Sequence, residues 1–515
     1  MILPGIPRGF VLTVCLLSSA AAGPIYLVDA FKEEAGWRVH WRYDPRQAGC
    51  REVRVTDAAG RVLGRAVPPA DSCILDRASE GQEVLVAVEV DGRAMATTCR
   101  LTLQEPPHRN IPAGRIAVRK GPTGQAEFFN TQTGQTFVVK GFNYIRLRHG
   151  DHSTFDADTP ATAADYDALD AESMLRLLAR NGYNTVRVFI IGRSRGNPGI
   201  AGGPDVTAPL YEPYMRNVLD FLRRARRHGI YVLPTFGDGE LPANRYWAAR
   251  REGLPRGKNA LYLTKAGIDA KAEYVMGFLT WIKEQDPALL EALLGIQCQN
   301  EFYLDARSWP FSETTGSVTA ANGKTYNLSD ADDRRRLMAE GIRFYHERLT
   351  AAVKRVAPGL LVSEGLFVPR AVGKSPATHA AVWPGTASDP RFPPTAGMLA
   401  ASPLDFIDVH FYRTRREERV EEAFERDMLS TEYLDAAMEP LIRDKPVILG
   451  EFGAFQHVEA SFDEAADTLL SIRALAERHG MAGWIMWTFD CFEQERLWHA
   501  MEDGGAFVER LARSR

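Results

Sequence analysis

The chain has 515 residues, 45% of them hydrophobic and 25% charged, the balance of a soluble globular protein with room for two domains. Its 62 Lys and Arg against 66 Asp and Glu leave a net charge of −4, so no basic surface exists to track phosphates and nucleic acid is excluded as a partner. In chain order, the first segment reads as an export signal. Arg8 precedes the apolar run from Phe10 to Leu17, and Ser18-Ser-Ala-Ala-Ala22 supplies small residues for a peptidase. Residues 1–23 are therefore assigned to a signal peptide, with a secreted or periplasmic product and no stable membrane insertion, because the run is too short to span a bilayer.

Residues 24–108 read as a small all-β domain. Trp37, Val39, Trp41 and Tyr43 alternate with polar neighbours, as do Val84, Val86, Val88 and Val90, the period of strands with one buried face. Asp57-Ala-Ala-Gly60 and Asp91-Gly92 supply turns, and about seven such strands make a sandwich of immunoglobulin or fibronectin-III type. Packing is the expected role of its aromatics, with carbohydrate binding as the alternative. Cys50, Cys73 and Cys99 allow one disulfide among themselves, and no cysteine has the spacing of a zinc site. Neither a metal nor a cofactor is expected.

Residues 109–515 change character. Arg115 to Asn130 reads as a closing hairpin and Thr136 to Tyr144 as a first barrel strand. Seven more apolar strands follow: Thr185–Ile190, Ile230–Thr235, Leu294–Cys298, Leu360–Ser363, Phe406–Phe411, Val447–Gly450 and Gly483–Thr488. Helical stretches alternate with them, and three end in Asn181-Gly182, His228-Gly229 and His479-Gly480 just before a strand. Ser461-Phe-Asp-Glu464 is a capping box. Asp156, Asp158, Asp165, Asp167 and Asp170 read as acids at a helix start, and Asn327-Leu-Ser329 fits the N-glycosylation pattern while Ser329 equally suits a helix cap. Short turns on one face and long loops on the other, over 301–330 and 365–404, predict an α/β fold, a (β/α)8 TIM barrel with its site at the C-terminal rim.

Polar residues at that rim carry the chemistry. Asn300-Glu301 ends the fourth strand, Gly450-Glu451 the seventh, His410 and Tyr412 the sixth and Trp487 the eighth, while Arg187 lies inside the second. Two carboxylates brought together across a rim are the minimum equipment for cleaving a glycosidic bond. With Gly141-Phe-Asn143-Tyr144, Asn184-Thr-Val-Arg187 and Gly450-Glu451-Phe-Gly453, the ordered series resembles the clan-A glycoside hydrolases, and within them family 5. It departs from that family at the end of strand three, where Pro234-Thr-Phe-Gly-Asp238 stands in place of a histidine.

The resemblance implies a retaining enzyme acting on a β-linked poly- or oligosaccharide, of β-glucan or β-mannan type, with Glu301 as acid/base and Glu451 as nucleophile. Arg187, Asn300, His410, Tyr412 and Trp487 are the expected substrate-site residues. Glu301 has to be protonated and Glu451 ionised, with carboxyl groups about 5–5.5 Å apart. Further rim aromatics, Tyr144, Trp247, Phe302, Tyr303, Trp309 and Trp498, are expected to pack loops. A non-catalytic carbohydrate-binding protein on the same scaffold is the competing reading. The oligomeric state is not legible.

Overall fold

The computed structural model describes residues 25–513, apart from 44–48, 91–92, 107–108, 146, 149–150, 153, 158–165, 193–197, 238–240, 368–388, 430–437, 491–493 and 495. The expected export signal, Asp158, Asp165 and Asp238 lie outside the described residues. No helix among those described is long and apolar enough to cross a membrane.

Seven antiparallel strands open the fold, in sheets of three and four. The alternation read from sequence buries Trp37, Val39, Trp41, Val53, Val84, Val86 and Val88 between the two sheets, while the polar residues between them face outwards. Trp37 and Trp41 are thus core. Cys50 and Cys73 are free thiols, so no bridge joins them.

The sandwich is clamped to the barrel by charge. His40 and Arg42, on Gly36–Tyr43, reach Asp170 at 2.8 and 3.3 Å, and Arg42 Nη1 donates to Asp490 at 2.9 Å. In the opposite direction, barrel Arg176 donates to the carbonyl of Ala30 at 2.9 Å and to Glu105 at 2.7 Å. Of the acidic stretch, Asp167 does cap helix Ala168–Arg180 through the amides of Leu169 and Asp170, but Asp170 serves the domain junction.

Eight parallel strands form the barrel: β1 Val139–Asn143, β2 Thr185–Ile190, β3 Tyr231–Phe236, β4 Gly295–Gln297, β5 in two pieces (Leu361–Ser363 and Gly365–Leu366), β6 Ile407–Tyr412, β7 Val447–Phe455 and β8 Gly483–Met486. β4 pairs with the first piece of β5 and β6 with the second, so the ring closes across Glu364. Buried on both faces, the strands read as near-continuous apolar runs. Gly182, Gly229 and Gly480 adopt φ of +79°, +72° and +75° and stop the helices before β2, β3 and β8.

Of the boundaries that differ from expectation, two bear on the architecture. Thr136–Phe137 does not belong to β1; it pairs with Phe128 and Phe129 in a three-stranded antiparallel sheet built on Ile116–Lys120. That sheet plugs the bottom of the barrel, with Phe128 edge-on to Phe406 at 5.3 Å and packed among Val139, Leu233, Leu294, Ile448 and Ile485. The helix after residue 330 is capped by Asp330, not Ser329, because the carboxylate accepts from two amides at once. On the opposite face the two long loops are joined: Leu304–Asp305 pairs with Arg391–Phe392.

Candidate active site

Above the apolar plug, the inward positions turn polar. Asn143, Arg187, Thr235, Gln297, Asp408, His410 and Glu451 are all buried and come from β1, β2, β3, β4, β6 and β7. Buried polar groups must find partners, and here they find one another.

Arg187 is the hub. Its side chain is fully buried. Nε donates to Gln297 Oε1 at 2.6 Å, Nη2 to Asn300 Oδ1 at 2.7 Å, and Nη1 to both Asn143 Oδ1 at 2.9 Å and Glu451 Oε1 at 2.7 Å. A planar fork with several donors suits such convergent recognition where a lysine would not. Asn143 is itself oriented by donating from Nδ2 to the carbonyls of Gly450 and Met486.

Glu451 meets a donor at each oxygen. Arg187 addresses Oε1, the Tyr412 hydroxyl donates to Oε2 at 2.8 Å, and His410 Nδ1 lies 3.4 Å from Oε2. Burial raises this carboxyl above its ordinary value and Glu301 adds to the effect, while His410, Arg187 and Tyr412 pull against it. Burial and the two carboxylates push the Tyr412 phenol well up, so it serves as a donor.

Glu301 leaves β4 by a turn in the left-handed region, φ +40°, sparsely populated for any residue but glycine. That turn brings Oε1 to 2.9 Å from His410 Nδ1. Its side chain is 28% exposed, against 5% for Glu451: one acid opens to solvent and the other sits in the floor. An oxygen of each, with a His410 ring nitrogen, lies within 4.8 Å of the others. Burial alone would lower the His410 ring, but Glu451, Asp408 and Glu301 raise it to about 10.

The remaining expected residues fall as follows. Trp487 stands at the mouth, 8% exposed, edge-on to Phe189 at 5.9 Å, its indole N–H donating to Gln494 Oε1 at 2.9 Å. Tyr144, Trp247 and Phe302 are core residues, 2%, 0% and 0% exposed. Trp309 and Trp498 pack half-buried against the core, Trp498 donating to the carbonyl of Glu459. Tyr303 lies under Lys258, whose Nζ is 2.9 Å from the ring centroid.

Sequence reasoning gave no role to Gln297 or Asp408. Gln297 Oε1 also accepts from Thr235, and its Nε2 donates to Asp408 Oδ2 at 2.6 Å. The signal was available: a glutamine and an aspartate inside strands that are otherwise apolar need a reason to be there. Two groups of described residues bring three metal-capable side chains together, Glu301–His410–Glu451 and His40–Asp167–Asp170. An arginine contacts a carboxylate in each, Arg187 at Glu451 and Arg42 at Asp170, and already supplies the positive charge a cation would bring.

No protein-family model matches the chain, and no curated protein matches it. Solved structures similar to it include an exo-β-1,4-mannosidase from Opitutaceae bacterium strain TAV5, with 18% identity and TM-score 0.46 over 76% of this chain and 62% of that one. An endo-1,4-β-mannanase from Rhizomucor miehei aligns over 78% of this chain and 100% of its own, with 12% identity and TM-score 0.49. A β-glucuronidase from an uncultured Clostridium sp. aligns over 95% and 67%, with 14% identity and TM-score 0.40. The chain thus spans 62% of the length of the first of these.

Proposed function

We propose that the chain is a secreted or periplasmic retaining glycoside hydrolase that cleaves β-glycosidic bonds of a poly- or oligosaccharide, of β-glucan or β-mannan type, by double displacement. The observation that carries this reading is the pair of acids from β4 and β7, with carboxylate oxygens within 4.8 Å. Retention needs carboxyl groups about 5–5.5 Å apart, whereas inversion needs about 6.5–9.5 Å to seat a water.

Glu451 is the nucleophile. Donors at both of its oxygens leave a proton of its own no good place, which favours the carboxylate against the penalty of burial. Its attack on the anomeric carbon breaks the glycosidic C–O bond, and the leaving oxygen takes the proton of Glu301. Glu301, now a carboxylate, takes a proton from water as that water's oxygen attacks the same carbon and Glu451 departs. Asn300 has its Oδ1 occupied by Arg187, so its amide N–H2 is what it offers a 2-hydroxyl. Trp487 offers an aromatic face to sugar C–H groups, and His410 links the two acids.

Hydrolysis of a polysaccharide array by wild type, Glu301→Gln and Glu451→Ala tests both roles and identifies the sugar. Azide is expected to rescue Glu451→Ala as the inverted glycosyl azide. A first product of inverted configuration from wild type would exclude double displacement, and binding without turnover on any sugar would exclude an enzyme.

A further inference from the structure

The floor of the pocket holds a third carboxylate. Asp408 is fully buried and shares the inward face of β6 with His410 and Tyr412. Its Oδ2 accepts from Gln297 at 2.6 Å and lies 3.7 Å from both Arg187 Nε and His410 Nε2. Among the described residues, neither Asp408 Oδ1 nor His410 Nε2 has a hydrogen-bond partner. The backbone makes room for this acid. Pairing between β6 and β7 skips one residue, from Val409 opposite Leu449 to His410 opposite Glu451, and the residue skipped is Gly450. A Cβ on Gly450 would stand 2.0 Å from Asp408 Oδ1. A buried acid with an unpaired oxygen costs free energy, and a bulge with a glycine has been spent on accommodating it.

His410 therefore has a carboxylate at each ring nitrogen: Glu301 and Glu451 at Nδ1, 2.9 and 3.4 Å away, and Asp408 at Nε2. The charged or titratable groups facing it are Glu301 after β4, Asp408 and Tyr412 on β6, Glu451 on β7 and, beyond these, Arg187 on β2. From β5, Gly365 comes against the ring. With three carboxylates and two cations, Arg187 and His410, the cluster is neutral when it holds one proton beyond those on the cations.

We propose that Asp408 is a positioning residue: it keeps His410 protonated on both nitrogens through the working pH range, and the charged ring then holds the two acids of the reaction in place through Nδ1. The second half of this statement rests on the glycosidase reading; the charge on His410 does not. Asp408 lies below the acids and has no contact with a sugar to make, so its influence passes through His410.

Histidine-labelled full-length protein, observed by ¹⁵N NMR with His410→Asn to assign the signal among 11 histidines, separates these parts. In wild type both His410 ring nitrogens are expected to stay protonated to at least pH 9, in line with the position near 10. In Asp408→Asn the ring is expected to titrate about two pH units lower. Its kcat should fall tenfold or more at neutral pH with KM changed less than twofold. A residue that merely packs would move neither the ring titration nor kcat apart from KM. Asp408→Ser, a smaller side chain at the same place, serves if the asparagine variant does not fold. A wild-type ring singly protonated at pH 7, or one that titrates alike with and without Asp408, overturns the proposal. If no sugar is turned over while the ring behaves as expected, only the glycosidase reading fails.

Discussion

Replacing Arg187 by methionine asks the most of the site. The guanidinium approaches Glu451 to 2.7 Å in a fully buried setting, which puts the charge centres about 4 Å apart. At an effective dielectric of about 20 that attraction is worth about 4 kcal/mol, or close to 3 pH units at about 1.4 kcal/mol per unit. Glu451 is already raised by burial, with Arg187 among the groups that oppose the rise. Without Arg187, the acid limb of kcat/KM, which reports ionisation of Glu451 in the free enzyme, should move up by about 2–3 pH units. A pH profile of initial rates on an aryl β-glycoside reads this directly. Arg187→Lys is the control: the charge persists, so the limb should stay within about one unit of wild type. Its rate should nonetheless fall, because an ammonium cannot hold Asn143, Gln297, Asn300 and Glu451 together. Losing one partner of a buried pair also destabilises by about 3–5 kcal/mol, so both variants are to be assayed well below their unfolding temperatures. An acid limb for Arg187→Met within about half a unit of wild type would refute the assignment of Glu451 as the ionised group that Arg187 holds.

Away from the site, Glu172 is buried between His228 at 2.5 Å and Arg224 at 2.9 Å. Burial raises its carboxyl, but His228, Arg176 and Arg224 bring it down to about 2, from an ordinary 4.5. Glu172→Gln should therefore cost roughly 3 kcal/mol in urea unfolding at pH 7. A depressed acid stabilises above its unfolded value, so the gap between the two proteins should hold above pH 4.5 and narrow as pH falls towards 2; a gap independent of pH would show packing rather than charge. Gly450→Ala should destabilise by roughly 2 kcal/mol or more through overpacking, and by clearly less in an Asp408→Ala background, since Asp408 is what the new methyl meets at 2.0 Å; equal losses in both backgrounds would exclude that contact as the cause. Trp487→Ala should raise KM by roughly tenfold with little change in kcat, and Trp487→Phe should recover most of it; an unchanged KM would make the ring a packing partner of Phe189 alone.

Much of this was legible in the sequence because buried parallel strands announce themselves as short apolar runs, and an acid at the end of such a run has few other uses. Glu301 and Glu451 stand at such ends, and Arg187 and His410 interrupt or close such runs. The rest was hidden for identifiable reasons. Thr136 and Phe137 look continuous with β1, and only their non-local pairing with Phe128 and Phe129 assigns them to the plug. β5 carries Glu364 at the point where its two pieces meet, so an apolar run stops short of the closing strand. Asp170 reads as a helix-start acid because its partners, His40 and Arg42, sit 130 and 128 positions earlier, in another domain. Gln297 and Asp408 were read as parts of apolar runs, for the value of a buried polar group lies in its partners, and those are supplied by the closure of the barrel.

The same closure explains why the charges can exist at all. Arg187, Asp408 and Glu451, buried in the floor, would each be costly alone, and His410 and the more open Glu301 adjoin them. Their side chains issue from β2, β4, β6 and β7, strands hydrogen-bonded into one ring whose lower half is filled by Phe128, Leu233, Leu294, Ile448 and Ile485. The apolar plug supplies stability and rigidity, and the polar layer above it draws on both. For the proposed reaction rigidity matters, because donors that cannot relax away from Glu451 oppose the rise that burial imposes on its carboxyl. The left-handed turn at Glu301 belongs to the same logic: a strained residue persists only where its surroundings over-determine it. Here Gly365 on β5 and His410 on β6 close in on either side of that turn, 3.2 Å from the Glu301 amide to a Cβ built on Gly365 and 2.9 Å from His410 to the Glu301 carboxylate.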